Sequence, residues 1–187
     1  MKKEFTFRIF PTDEQKEFFE KNFYCAKFIY EHFLPQIKED EEKNNLEFGK
    51  KPLTEYEYDK RITKLKQEKD YEFLQEVGIT ALQGAMKKLF AKVHISREQK
   101  KVKYPEYKLS KNKRNSFLVL QNTTTIGIYL CPDGLKIPKI DYIPVQQTEF
   151  VSRKWKMQEA EIYETPDGLY YTHLIFDDEI KNKSLTK

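Results

Sequence analysis

The sequence predicts an α+β protein in which one strand, a group of helices and several antiparallel strands follow one another along the chain. Residues 4–10 alternate between apolar and polar side chains, and apolar residues then recur at helical spacing as far as residue 93. After Phe117, short runs rich in β-branched and aromatic residues are separated by turn signals. Because a lone strand needs a partner, the first strand most simply joins the later ones. The predicted architecture is a small β-barrel or curled sheet that carries a helical insertion.

The first strand is predicted over residues 4–10, where Phe5, Phe7 and Ile9 share one face. Thr6 and Arg8 lie on the opposite face, so the strand is expected to be half-buried. The proline that follows, in the stretch "IFPT", is expected to end it.

The first helical segment is predicted to begin at Thr12, because a glutamine three residues later, Gln15, completes the spacing of a capping box. Aromatic and aliphatic residues then recur at helical spacing, and we expect one or two helices across residues 12–43. Asn22 is a candidate break, and Pro35 is a candidate kink or stop.

Two further helices follow. Tyr58, Ile62 and Leu65 predict a second helix, and an apolar stripe over residues 78–93 predicts a third. The polar segment 38–52 is interpreted as a helix tail and a loop.

Two tight hairpins are predicted in the C-terminal half, at "CPDG" in residues 131–134 and at "TPDG" in residues 165–168. The sole tryptophan, Trp155, lies between them. Its indole ring is either a core anchor or a stacking platform, and the sequence favours neither.

Composition limits the classes of function. The 187 residues are 39% hydrophobic and 34% charged, so a core can form beneath a heavily charged surface. Cys25 and Cys131 are far apart, which excludes a disulfide scaffold and fits a reducing cytosol. The histidines His32, His94 and His173 are isolated, so we expect no metal site and no cofactor. A signal peptide, a span of roughly 20 apolar residues, a catalytic triad and a phosphate-binding loop are all missing.

Positive charge is concentrated between residues 87 and 114, although the net charge of the whole chain is only +4. This basic block is opposed only by Glu98 and Glu106, and the rings of Tyr104, Tyr107 and Phe117 are interleaved with or flank it. Such a pattern favours phosphate binding with stacking on bases or sugars. The alternative is a solvated linker whose charge only aids solubility. The basic block consists of Lys87, Lys88, Lys92, Arg97, Lys100, Lys101, Lys103, Lys108, Lys111, Lys113 and Arg114.

The stretch "FTFRIFPTDEQKEFFEKNFYCAKFIYEHFL", residues 5–34, is similar to the opening of TnpB, the OrfB-type transposon-encoded RNA-guided nuclease related to type V CRISPR effectors. The segments "LTEYEYDKRITKLK", "ITALQGAMKKLFAKV", "VKYPEYK" and "IYETPDGLYYTHLIF" follow in the order of that family. Together the segments cover nearly the whole chain, and their order carries the resemblance.

The resemblance implies a wedge domain, an OB-like antiparallel β-barrel built from residues 1–11 and 98–187, with a helical recognition lobe in residues 12–97. In that family these parts hold the guide RNA and contact the short motif beside the DNA target. The RuvC-like nuclease domain, with its metal-binding acidic triad, follows in relatives and is expected to be absent here. Asp177 and Asp178 lie upstream of its position, and no catalytic or metal-binding residue is assigned.

The resemblance also implies contact residues. In relatives, one helix position and one strand loop contact the duplex motif. Gln83 matches that helix position, and Asn122 and Thr123 match positions in that strand loop. The Gln83 amide suits an adenine edge in the major groove. The remaining nucleic-acid candidates combine this resemblance with the basic block, and they are Lys87, Lys100, Lys101, Lys103, Tyr104, Lys108, Lys111, Lys113 and Arg114.

The sequence therefore predicts a module that binds a guide RNA and target DNA in the cytoplasm of a prokaryote, at the nucleoid when DNA is bound. Cleavage would fall to a RuvC-bearing partner chain, and the chain could alternatively pair with itself or act alone as an RNA-guided DNA binder. A rival hypothesis is a regulatory fragment that docks on a nuclease or sequesters its guide RNA. A third is a piece of a full-length enzyme. No membrane partner is expected.

Overall fold

The computed structural model describes residues 1–46, 54–99, 102–106, 115–121 and 127–178. Within these ranges, helices follow the first strand and the remaining strands come last. The elements in chain order are β1 (Lys2–Ile9), α1 (Asp13–Leu46), α2 (Glu55–Leu65), a 3₁₀ segment (Lys69–Glu76), α3 (Ile79–Glu98), β2 (Ser116–Leu120), β3 (Tyr129–Cys131), β4 (Gly134–Lys136), β5 (Val145–Gln146), β6 (Lys156–Glu164) and β7 (Tyr170–Asp177).

Five strands form one antiparallel sheet in the order β2-β6-β7-β1-β5, and β3 and β4 form a separate hairpin. The first strand lies inside the sheet, with Phe5 opposite Leu174 of β7 and Ile9 opposite Val145 of β5. Phe7 and Ile9 are buried, as their alternation predicts. The α+β class, and a helical insertion after a first strand that joins the later strands, are therefore confirmed.

The described strands do not close into a barrel, so the expected closed, OB-like barrel is not supported. Asn115 and Gln121, which flank β2, form backbone hydrogen bonds with β6. Because the groups of an antiparallel strand point alternately toward and away from its partner, the Leu118 carbonyl points away from β6, to the outer edge of the sheet. Helix α3 lies against that edge: a Cβ atom added to Gly84 would be 1.9 Å from the Leu118 oxygen. The helix thus covers the edge that closure would have to pair.

Helix α1 begins with the predicted capping box. The backbone N–H of Gln15 donates to Thr12 Oγ1 at 3.3 Å, and the backbone N–H of Thr12 donates to Gln15 Oε1 at 3.0 Å. The Gln15 side chain also donates to the carbonyl oxygens of Asp141 and Tyr142, at 3.3 and 3.2 Å. One glutamine thereby caps the helix and fixes its start against the segment before β5.

Neither Asn22 nor Pro35 ends α1, which is a single helix where one or two were expected. Asn22 is buried and donates to the Phe18 carbonyl at 2.7 Å, one turn earlier on the same helix. Pro35 removes one backbone donor, but its neighbours Phe33 and Ile37 are buried, so packing carries the helix past it. No helix in the described ranges is long and apolar enough to cross a membrane.

The other predicted elements are confirmed with small shifts. Tyr58, Ile62 and Leu65 form the buried face of α2, and the third helix extends to Glu98. The 3₁₀ segment before α3 was not predicted.

Both PDG turns form the predicted hairpins. Cys131 pairs with Gly134 across the β3–β4 turn. In the β6–β7 turn, Gly168 has a φ of 77° and donates to the Thr165 carbonyl at 2.9 Å. That left-handed conformation suits glycine, which explains the residue at this position.

Two groups of buried side chains form the core. The sheet core lies against the sheet and includes Phe7, Phe19 and Phe117. The helical core lies among α1, α2, the 3₁₀ segment and α3, and includes Phe33 and Leu74. Because Phe117 is 1% exposed, the suggestion that its ring stacks on a base is wrong.

Candidate nucleic-acid interface

The surface of α3 beside the sheet holds two of the predicted contact residues, Gln83 and Lys87, one helical turn apart. Gln83 is half-buried, and within the described residues its side chain makes no hydrogen bond. Its amide is therefore available to a ligand.

The lysines of α3 are paired with carboxylates of the sheet. Lys87 Nζ lies 2.6 Å from Glu159 Oε2 on β6. Lys88 Nζ lies 2.5 Å from Glu161 Oε1 and 3.1 Å from Ser116 Oγ. These contacts tie α3 to the sheet, and a phosphate at either lysine would have to compete with them.

The basic block continues beyond these lysines. Arg97 pairs with Glu41 of α1, and Lys92 Nζ lies 4.9 Å from the centre of the Tyr30 ring. Lys103 is exposed, and of the basic-block residues that the structure describes it alone makes no ion pair, hydrogen bond or ring contact. The described part of the block is thus mostly neutralised by the protein's own groups, and Lys103 is its open charge.

The remaining predicted contacts lie outside the described residues, and their roles stay predictions. They are Lys100, Lys101, Tyr107, Lys108, Lys111, Lys113, Arg114, Asn122 and Thr123.

Tyr104 is half-buried and packs against the helical core. Burial, and then the nearby charge of Glu41, raise the pKa of its phenol. Glu41 lies close enough to affect the ionisation of the phenol. The Tyr104 hydroxyl nevertheless makes no hydrogen bond of normal geometry with any described residue. Much of the ring is therefore already in contact with protein, and its stacking role remains a prediction.

Two acidic residues of α2, Glu55 and Asp59, lie one helical turn apart, and the charge of Lys87 acts on Glu55. Burial raises the pKa of Asp59 to about 6, and the charge of Glu55 adds to this shift. Burial also raises the pKa of Glu55, and Lys87 opposes that shift. Asp59 Oδ1 is buried with no hydrogen-bond partner among the described residues. The signal in the sequence was the spacing of two acids on one helical face in "EYEYD".

A cavity of about 360 Å³ lies where α1 and α3 meet the start of β2. Lys27, Lys88 and Lys92 line it together with the rings of Tyr24 and Tyr30. Lys27 and Tyr24 were not predicted as site residues, although their helical spacing places both on the exposed face of α1. This lining mixes cations with aromatic surface, the combination that suits nucleic acid.

The described residues contain no group of three or more histidine, cysteine, aspartate or glutamate side chains that could hold a metal ion. His32 lies in a cluster of rings with Phe28 and Tyr71. His173 lies between Thr6 and Glu4 on the neighbouring strand.

Comparison with known proteins identifies the N-terminal part. Residues 1–45 match the family model of the OrfB/IS605 helix-turn-helix domain. In this chain those residues form a strand and one continuous helix, not two helices joined by a turn.

The chain is also 30% identical over 120 residues to a protein of Streptomyces pristinaespiralis named "Putative RNA-guided DNA endonuclease". The match covers 62% of this chain and 27% of that relative. The two findings agree with the resemblance seen in the sequence, and the N-terminal part of this chain is of the TnpB/OrfB type.

Proposed function

We propose that this chain is the nucleic-acid-binding part of an RNA-guided DNA nuclease system. It binds a guide RNA and, with it, target DNA, and a separate RuvC-bearing chain cuts. The observation that carries the proposal is the OrfB-type domain at residues 1–45, in a chain similar over 120 residues to a protein named as an RNA-guided endonuclease.

In this proposal the two kinds of contact have different roles. Lys103 and the lysines that follow it neutralise phosphates, which positions the nucleic acid without reading its sequence. Base pairing with the guide supplies the target sequence. Gln83 on α3 reads the adjacent duplex motif through a base edge.

A second candidate function is a regulatory fragment that docks on a nuclease. The pairing of Lys87 and Lys88 with Glu159 and Glu161 favours it, because a surface that is neutralised internally attracts phosphate weakly. Under this alternative, removing the positive charge of the basic block would leave the function unchanged.

The salt dependence of binding tests the proposal. If about five cations neutralise duplex phosphates, the log–log salt slope is near −4 to −5, and replacing Lys103, Lys108 and Lys111 by alanine flattens it by roughly 3 at most. Lys2→Ala is the matched control, because Lys2 is exposed on β1, away from the block. Filter binding of the full chain to duplex DNA, and to RNA that co-purifies from the native host, gives the slopes.

Glu159→Gln sharpens the test, since it removes the ion-pair partner of Lys87 on β6 without changing the sequence of the helix. If α3 faces phosphate, this variant binds more tightly and its salt slope steepens by about 0.9. An unchanged slope in the triple-lysine variant would remove the basic block from the interface and favour the regulatory alternative.

A further inference from the structure

A second cavity lies beside the β3–β4 hairpin, and its lining residues fall between Gln121 and Phe176. It has a volume of about 690 Å³, within the range of roughly 300–1,000 Å³ that small-ligand sites occupy. The β3–β4 hairpin, the start of β6 and the segment 147–155 form its walls. We call it the hairpin cleft.

Four aromatic side chains line the hairpin cleft, and three of them, Tyr129, Phe150 and Trp155, are not buried, whereas Phe176 is. Phe150 is 82% exposed, which is unusual for a phenylalanine, and Tyr129 is 48% exposed. Trp155 stacks on Phe5 at a centroid distance of 5.8 Å and also lines the cleft. The protein therefore supports the indole ring from behind and leaves aromatic surface open to a ligand.

The charged residues that line the hairpin cleft are all basic. Arg153 and Lys156 belong to its wall, and no carboxylate does. Arg153 is exposed and has no ion-pair partner within the described parts of the chain. The 360 Å³ cavity differs, because its lining includes Glu20 and because its Lys88 is already paired. The hairpin cleft thus offers one cation without an ion-pair partner among the described residues, Arg153, and has no carboxylate in its wall.

Amide side chains complete the wall. Gln147 and Gln158 line the cleft, and each donates a hydrogen bond to a nearby backbone carbonyl, of Glu149 and of Lys156. Their carbonyl oxygens are acceptors suited to the amino groups of bases.

We propose that the hairpin cleft binds an unpaired segment of nucleic acid, with one or two bases stacked on Phe150 and Trp155 and a phosphate at Arg153. This inference rests on the proposed function and adds a site to it. Exposed rings combined with cations alone are the chemistry of single-strand binding, because every base offers a face for stacking and every linkage a negative charge. A duplex hides its base faces and cannot use the rings in this way.

The sole tryptophan makes the site directly observable, because a base stacked on Trp155 quenches its fluorescence. The probe is a single-stranded oligonucleotide of mixed sequence, offered as RNA and as DNA, and compared with the same sequence in a duplex. We expect the full chain to show quenching with the single strand and none with the duplex.

Variants locate the binding. Phe150→Ala should weaken single-strand binding about 5- to 150-fold, the loss expected for one stacked base. Phe10→Ala is its matched control, since Phe10 is an exposed phenylalanine that lines neither cavity. Arg153→Ala should reduce the salt slope by about 0.7, and Lys154→Ala, an exposed neighbour outside the cleft wall, should change it less.

The outcomes separate the two proposals. If Phe150→Ala loses both the fluorescence quenching and the affinity for single strands but still binds duplex, the proposed single-strand site in the hairpin cleft is supported. Unchanged single-strand affinity in both cleft variants, while the basic-block variants lose binding, overturns the cleft and leaves the proposed function standing. Absence of all nucleic-acid binding overturns both. A protein partner retained by the native chain and lost from Phe150→Ala, with unchanged nucleic-acid affinity, overturns the cleft in favour of protein docking.

Discussion

The sheet core and the helical core are built in different ways but share the helices α1 and α3. In the sheet core, Phe7 and Leu174 come from opposite ends of the chain. In the helical core, Phe33, Tyr58 and Leu89 come from successive helices. Contacts near in sequence form at lower entropic cost, so the helical core can assemble early and the sheet core must wait for the ends to meet.

Helix α1 shows how the two cores are joined. Phe19 and Phe23, near its start, belong to the sheet core, and Ile29 and Phe33 belong to the helical core. The helical insertion is therefore continuous with the sheet, and α3 adds a second join where Gly84 meets Leu118.

The largest effect expected from this arrangement is the loss of one buried ring. Phe19→Ala and Phe33→Ala should each cost about 3–5 kcal/mol of unfolding free energy, because both rings are fully buried. If α1 couples the cores, each variant still unfolds in one transition. Tyr24→Ala, an exposed ring on the same helix, is the control.

Urea denaturation monitored by hydrogen exchange distinguishes the alternatives. Coupled cores predict lowered protection in both α2 and β7 for either variant. Protection lost only in the strands for Phe19→Ala, and only in the helices for Phe33→Ala, would show that the cores unfold separately.

The join between α3 and β2 is expected to give the next largest effect. In Gly84→Ala the new Cβ would meet the Leu118 carbonyl oxygen at 1.9 Å, and overpacking of this kind costs about 1–3 kcal/mol. Gly78→Ala is a matched control, because its Cβ would have no neighbour closer than 3.7 Å. Thermal unfolding of the two variants measures the difference, and equal melting temperatures would contradict the close approach.

Local patterns in the sequence predicted the elements well. The alternation of Phe5, Phe7 and Ile9, the capping box of Thr12 and Gln15, and the two PDG turns depend on near neighbours only, and all formed as predicted. The continuity of α1 through Pro35 was not predictable in this way, because packing against remote residues overrides the local cost.

Whether the sheet closes, and which lysines form ion pairs, also depend on residues remote in sequence. A glycine in "LQGAM" does not reveal that a carbonyl oxygen of β2 lies against it. The run of lysines does not reveal that Glu159 and Glu161, more than 70 positions away, neutralise two of them. The hairpin cleft was hidden for the same reason, although Trp155 was recognised as a candidate stacking residue.

The smallest of these effects is electrostatic, and its sign depends on pH. The pKa of Asp59 is raised from 3.8 to about 6 by burial and by Glu55, so the folded state favours the protonated acid. Its contribution to stability is complete below about pH 4 and is lost as the pH rises through about 6. Asp59→Asn should therefore be about 1 kcal/mol more stable than the native chain at pH 8, a value reduced for partial exposure, and equal to it near pH 4.

Asp13→Asn provides a control of opposite sign. The bond from Lys16 lowers the pKa of Asp13, so its contribution is present at neutral pH and lost as the pH falls through the lowered value. Asp13→Asn should thus be less stable than the native chain at pH 8, and the difference should vanish in acid. Urea midpoints at pH 4, 6 and 8 test Asp59→Asn, and a further series at lower pH, down to about pH 2, tests the loss of the Asp13 effect. If Asp59→Asn is not more stable than the native chain at pH 8, the ionised Asp59 carboxylate does not destabilise the folded state.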